Sequence, residues 1–271
     1  MADPERPPDH KRAVAAYYDR LAPVYGEGEY FRTRRMVALA AVAAEIDGAS
    51  RVLDLGCGNG TYLAELIARE SVATAVGADL SSEMLAAARR RLGARVELVQ
   101  SNAAALAFRP ESFDVVLMSH VLQLVSDLDA CTADVARVLT HGGHLIATVG
   151  FGGLRGTLGR LLEPEEITDF LPLLGPDLRP PSPHHEQERM MSACRAAGLQ
   201  PELRSAQLSV TGAALEEWVR LRWLSIAGEQ SRARAEHRLE QVRSRIAGVS
   251  FPFTEDLIVA RKPPKVLPLA E

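Results

Sequence analysis

Asp54, Gly56, Gly58, Gly60 and Asp79 are the residues whose types and spacing point most directly to bound-ligand chemistry. The run Val52-Leu53-Asp54-Leu55-Gly56-Cys57-Gly58-Asn59-Gly60 passes from apolar residues to a carboxylate and then to alternating glycines. Glycine lets a backbone turn tightly and lets a ligand lie close against it. A helix beginning near Thr61 would offer the unpaired N–H groups of its first turn to a polar group. Asp79 closes the next apolar stretch, Thr74-Ala75-Val76-Gly77-Ala78-Asp79, and sets a second carboxylate where a ribose would sit. A carboxylate there can accept from both ribose hydroxyls.

Spacing decides between cofactors. A dinucleotide site needs G-x-G-x-x-G. Here the glycines run G-x-G-x-G, and Thr61 occupies the place of the third dinucleotide glycine. Asp54, just before the turn, suits a cofactor with a cation at its reactive end rather than a pyrophosphate. The pattern reads as a site for S-adenosyl-L-methionine rather than for a nicotinamide.

Ser119, His120 and Gln123 follow the apolar run Phe113–Met118. In an open α/β sheet such a position lies at the carboxyl edge, where ligands bind at the switch in strand order. Ser119 would meet the cofactor through its backbone. His120 is the candidate base, because imidazole titrates near neutrality; the competing reading is that it only packs beside the cofactor. Methyl transfer from a sulfonium is mostly a matter of positioning and desolvation. A base is needed only where the acceptor must lose a proton. His141 and His144 flank Gly142-Gly143 at the opposite edge and read as structural. His184 and His185 could serve as a second base or a metal pair, but apart from Glu186 and Glu188 no carboxylate beside them has metal-ligand spacing, so no metal is expected.

The elements that must position these groups alternate. A helix starts over Lys11–Tyr18, limited by Pro23, and an Ala-rich helix spans Arg34–Ile46, stopped by Asp47-Gly48. Strands are expected at Arg51–Leu55, Ala73–Asp79, Val96–Gln100, Phe113–Met118 and Gly143–Val149, with helices at Tyr62–Arg69, Ser82–Arg91 and Leu128–Leu139. Ser81 caps the second of these helices and Gly93 stops it. Such alternation predicts a doubly wound, mostly parallel sheet with helices on both faces. Beyond Val149 lie a Gly-, Pro- and Leu-rich cap, a helix over Glu186–Ala197, a strand over Leu203–Val210, a long helical insert over Ala213–Ala247 and a strand over Phe253–Arg261. The insert interleaves Arg and Glu, as a solvated helix face does. Trp218, Leu221, Trp223 and Leu224 near its start could line a substrate pocket or pack on the sheet; inserts at this edge often form lids.

With those motifs in view, the chain resembles the class I S-adenosylmethionine-dependent methyltransferases, of the small-molecule type that includes ubiquinone/menaquinone-biosynthesis enzymes. The resemblance runs from about Tyr17 to Pro263. It rests on Val52–Gly60, Val76–Met84, Val99–Phe108 with Ser112–Val125, Leu139–Val149 and the closing Leu257–Pro263. It implies a Rossmann-like fold of seven strands, with one domain over 1–271: an N-terminal lid 11–48, a core 49–150, a cap insert 151–183 and a helical insert 211–250. It places Asp54 near the methionyl amino group, and the glycine turn with Cys57 under the cofactor. Leu80 and Met84 would flank the adenine, although Met84 reads equally well as core. Asn102 stands where the family usually has an Asp for the adenine amino group; its amide oxygen can still accept, and the Ala103 N–H could help. Tyr17 and Tyr25 would cover the methionyl end and the methyl, and Arg35 would pair with a carboxylate. The implied activity is methyl transfer to a small, largely apolar acceptor, at oxygen first, with carbon or nitrogen open. A cofactor-binding fold with non-methylating chemistry and a non-catalytic partner subunit are the alternatives.

The bulk properties agree with this reading. The 271 residues are enough for one α/β domain with additions, and 47% are hydrophobic. A net charge of −4 argues against a general nucleic-acid binder. Cys57, Cys131 and Cys194 form no zinc or disulfide pattern, which fits a reducing cytoplasm. No run resembles a signal peptide or spans a bilayer. Met1–His10 reads as a loose leader and Pro264–Glu271 as a tail. Homodimerisation stays open.

Overall fold

The computed structural model describes residues 10–26, 28–47, 49, 51–68, 72–149, 185, 187–221 and 229–265. Seven strands form one sheet: β1 Arg51–Leu55, β2 Thr74–Asp79, β3 Glu97–Gln100, β4 Phe113–Ser119, β5 Leu139–Val149, β6 Gln200–Thr211 and β7 Ser250–Arg261. Their spatial order is β3-β2-β1-β4-β5-β7-β6. The first five run parallel, and β7 lies antiparallel between β5 and β6. β1 therefore has β2 on one side and β4 on the other, with Leu53 level with both Val76 and Val116. The order reverses there, and the carboxyl ends of β1 and β4 diverge into a crevice.

Helices cover both faces, so the central strands are apolar on both sides and read as continuous runs. Alternation still sorts them. Val52, Val115, Leu117 and Ile146 pack with α2 (Glu29–Ala41), α3 (Ala43–Ile46), α4 (Thr61–Ile67) and α5 (Ser82–Leu92). Leu53, Leu55, Val116 and Met118 pack with α6 (Leu128–Val138) and α7 (Gln187–Ala196). Each such buried side chain contributes about 1.5–3 kcal/mol. Local chemistry places the helix starts. Ser81 Oγ accepts from Met84 N at 3.0 Å at the head of α5, and Gly93 leaves that helix with φ +63°. Asp127 caps α6 and Thr211 caps α8 (Gly212–Val219).

Several boundaries differ from expectation. α1 runs His10–Leu21, so His10 belongs to the helix rather than to a leader. The helix expected at Arg34–Ile46 begins instead at Glu29 and breaks at Val42. Its start is fixed from afar: Glu29 N donates to Glu217 Oε2 at 2.9 Å, a cap that no local pattern could reveal. The expected 213–247 insert is described as α8 and as α9 (Glu229–Ile246). β6 and β7 are each longer than expected, because they pair along their whole length from Gln200↔Arg261 to Thr211↔Ser250. The cap segment 151–183, His184, Glu186, Trp223 and Leu224 lie outside the described residues. No helix among the described residues is long and apolar enough to cross a membrane.

Candidate active site

The turn after β1 forms the floor of the crevice. Gly56, Gly58 and Gly60 have φ of +81°, +52° and +78°, a region that side chains disfavour. Space forbids a side chain as firmly at Gly56, where a Cβ would lie 2.2 Å from Val121 Cγ2. Two backbone bonds, from Gly56 N and Cys57 N to Ala78 O, tie the turn to β2. Asp79 completes the tie. Its Oδ2 accepts from Gly58 N at 2.8 Å and its Oδ1 from Ser81 N at 2.8 Å. Burial raises the Asp79 carboxyl above its usual range, although these N–H groups oppose the rise.

A cleft of about 750 Å³, counted out to its mouth, opens above the turn. Gly56, Gly58, Asp79, Leu80, Asn102 and Ala103 line it together with Ser119, His120, Val121, Tyr18 and Tyr25. Met84 also reaches the wall, so it is core and lining at once. Asn102 Oδ1 accepts from Ala104 N at 3.2 Å, which shapes the loop around Ala103. His10 and Lys11 extend the wall from α1, and His10 Nε2 lies 2.8 Å from Leu124 O. Asp19 clasps α1 to the head of α5, its Oδ1 accepting from Ser81 Oγ and Glu83 N.

A second chamber of about 490 Å³ shares Tyr25, Gly56, Gly58, Ser119 and His120 with the first. Arg34, Arg35, Phe31, Cys57 and Tyr62 lie on its far side. Cys57 is thus at the second chamber, with its thiol pushed well up by burial, next to the Asp54 and Asp79 charges. Arg35 lies 3.6 Å from Glu65. Two expected site residues do not reach a wall. Tyr17 turns into a cluster with Leu21, Ala22 and Met84, because neighbouring helix residues point about 100° apart; Tyr18 holds the place given to it. Asp54 is 1% exposed behind the turn, and neither of its oxygens has a hydrogen-bond partner among the described residues. Burial, then the Asp79 charge, pushes its carboxyl up to about 8.

The least anticipated feature surrounds His120. This residue has φ +56°, uncommon outside glycine, and its N–H donates to Thr148 Oγ1 at 3.0 Å. Its Nε2 lies 2.8 Å from Arg34 Nη2 and 3.1 Å from Glu255 Oε1. Arg34 grips Glu255 with two bonds, Nε to Oε2 at 2.5 Å and Nη2 to Oε1 at 2.9 Å, and Tyr30 Oη accepts a third at 3.0 Å. Burial would raise the Glu255 carboxyl, but the Arg34 charge and His120 outweigh it and bring it down to about 2. Arg34 and Glu255 were missed because they are far apart in the chain. A signal did exist: along β7 the buried face takes Phe251, Phe253, Glu255 and Leu257 in alternation. A carboxylate at an inward position requires a partner. Trp218, left open between pocket and packing, is buried against Tyr30, ring centroids 5.1 Å apart. His185 Nε2 lies 3.1 Å from Val125 O, and His141 Nδ1 lies 2.9 Å from Pro263 O at the opposite edge.

Comparison with known proteins bears on the fold and on the central stretch of the chain. Residues 53–147 match the family model of a methyltransferase domain. The chain is 38% identical over 137 residues to a demethylmenaquinone methyltransferase of Clavibacter sepedonicus, covering 49% of this chain and 53% of that protein. It is 38% identical over 109 residues to a fatty-acid O-methyltransferase of Mycolicibacterium smegmatis, covering 40% and 39%. The chain spans about half the length of the curated relatives it matches. The fold is similar to that of the [4+2]-cyclase SpnF, with a TM-score of 0.61, 18% identity and coverage of 95% and 98%. The stretch 53–147, which runs from β1 into β5, is thus similar to a methyltransferase domain.

Proposed function

We propose that this protein binds S-adenosyl-L-methionine in the larger cleft and transfers its methyl group to an oxygen of a small, largely apolar acceptor. The carrying observation is that Asp79, the glycine turn, the Asn102–Ala103 loop and His120 line a single cleft. That arrangement fits a nucleoside and a reacting group held in one site. Asp79 and the turn would hold the ribose, Leu80 and Met84 the adenine faces, and Asn102 and Ala103 the adenine edge. Asp54 supports the fit, since a buried carboxylate without a partner favours a cation nearby, directly or through water. The bound cofactor supplies a methyl group already activated by a sulfonium. The chain's own tasks are to bring the acceptor into line, exclude water and take a proton.

The lining supports an apolar acceptor, since Phe31, Tyr25 and Tyr62 face the second chamber. His120 between the chambers is compatible with an oxygen acceptor, because a hydroxyl must shed its proton as the methyl arrives. We read the setting as cytoplasmic, with no nucleic-acid partner.

The experiment is incubation with S-adenosylmethionine and a panel of phenols, hydroxy acids and fatty acids, followed by quantification of S-adenosylhomocysteine and the methylated product. His120→Ala is expected to lower kcat on the order of 10²-fold or more, with S-adenosylhomocysteine affinity within about threefold, or 0.7 kcal/mol. Near-normal kcat in that variant would reject the base. Product methylated only on carbon or nitrogen would reject the oxygen reading.

A further inference from the structure

The surroundings of His120 offer a partner to each of its protonation states. Its Nε2 lies between a group that can only donate, Arg34 Nη2 at 2.8 Å, and one that can only accept, Glu255 Oε1 at 3.1 Å. A neutral ring with its lone pair on Nε2 takes a proton from Arg34. An imidazolium must give its Nε2–H away, and Glu255 stands there to receive it. The other nitrogen tells the same story. Nδ1 lies 3.4 Å from the Gln123 amide, whose Oε1 is buried with no partner among the described residues. Amide oxygen and nitrogen are assigned by their surroundings, so turning Gln123 end for end brings that oxygen to Nδ1. The orphaned oxygen then accepts the second imidazolium N–H. Both ring protons then have an acceptor, and the amide nitrogen takes the place the oxygen held.

We infer that Glu255 and Gln123 are positioning residues that receive and hold His120 as an imidazolium, with Arg34 keeping Glu255 ionised and in place. The inference rests on the reading of His120 as the base. As the acceptor hydroxyl gives up its proton, the ring takes it and becomes cationic, and the oxygen's electron pair forms the new bond to carbon. The departing sulfur leaves as a neutral thioether. A base oriented by a further group follows the general logic of activated sites. The backbone at His120 also bears a conformation few non-glycine residues adopt, as functional positions often do. The groups facing the imidazole from the packed elements are Arg34 and Tyr30 on α2, Glu255 on β7 and, beyond Ser119, Tyr62 on α4, whose hydroxyl is held un-ionised by burial. Asp79 lines the same cleft as His120, and Asp54 is buried in β1 just before the turn.

The test is an NMR titration of the His120 ring in the full-length protein, with the signal identified by its loss in His120→Asn. Glu255→Gln removes the anion, so the imidazolium becomes harder to form. Its midpoint is expected to fall by about one pH unit or more. Arg34→Met removes the cation and leaves Glu255 facing the ring, so the midpoint is expected to rise by a similar amount. Circular dichroism and S-adenosylhomocysteine binding verify that each variant is folded, and either one suffices if the other is not. A midpoint unmoved in a folded variant would overturn the inference, since a carboxylate that receives the ring's proton must hold the midpoint up. The base reading fails separately, through full methyl transfer by His120→Ala.

Discussion

At the scale of single residues, two carboxylates carry most of the account. Asp79 braces Gly58 and Ser81 through its two oxygens, so it shapes the turn as well as facing the cleft. Asp79→Ala is expected to weaken S-adenosylhomocysteine binding by about 2–4 kcal/mol, because hydrogen bonds to a charged group contribute about 1.5–3 kcal/mol each and water replaces part of the loss. A calorimetric change below about tenfold would place Asp79 outside the site. Asp54 adds a pH dependence whose sign follows from its raised carboxyl, about 8 when folded. Below that pH the unliganded protein holds a proton that the unfolded chain releases near its ordinary value, so this group favours the fold at low pH. The advantage shrinks as pH rises from the unfolded value towards 8. A bound ammonium favours the ionised form, so binding below pH 8 expels a proton. Affinity for S-adenosylhomocysteine is therefore expected to rise between pH 6 and 7.5, by up to about tenfold per unit. Asp54→Asn is expected to flatten that slope, and a slope unchanged in the mutant would show that Asp54 does not sense the ligand.

At the scale of elements, the turn and the first helix can be tested apart. Gly56→Ala combines a left-handed backbone with a Cβ set 2.2 Å from Val121 Cγ2. Strain of roughly 1–2 kcal/mol and overpacking of roughly 1–3 kcal/mol should lower stability in a denaturant melt by about 2–5 kcal/mol. A loss under about 1 kcal/mol would mean that the turn relaxes freely. Cofactor should protect the segment Lys11–Tyr30 from hydrogen exchange, since His10, Lys11, Val14 and Tyr18 of α1, with Tyr25 after it, cover the cleft. Equal exchange with and without ligand would reduce α1 to packing. The element scale is also where sequence reading succeeded most and least. β1, β2 and β4, the Ser81 cap and the Gly93 stop were legible, because local chemistry sets them. The start of α2 was not, because Glu217 caps it from the far end of the chain. Tyr17 and Tyr18 were exchanged in role for a similar reason: the sequence shows a helix but not which side meets the turn.

At the scale of the whole molecule, the strand order explains why distant residues meet. The reversal at β1 and β4 opens one crevice, and β7, inserted antiparallel beside β5, delivers Glu255 to within reach of Arg34 and His120. The sheet was foreseeable from alternating strands and helices, as was the grouping of the glycine turn, Asp79, Asn102 and His120. The ion pair behind His120 was not, because it joins α2 to the final strand. The central claim is that this crevice is shaped for an adenosyl-amino-acid cofactor and not for a dinucleotide. Isothermal calorimetry on the purified protein with S-adenosylhomocysteine and, separately, with NAD tests it most directly. Saturable binding of S-adenosylhomocysteine near one per chain is expected, and none of NAD. Tight binding of NAD without binding of S-adenosylhomocysteine would contradict it.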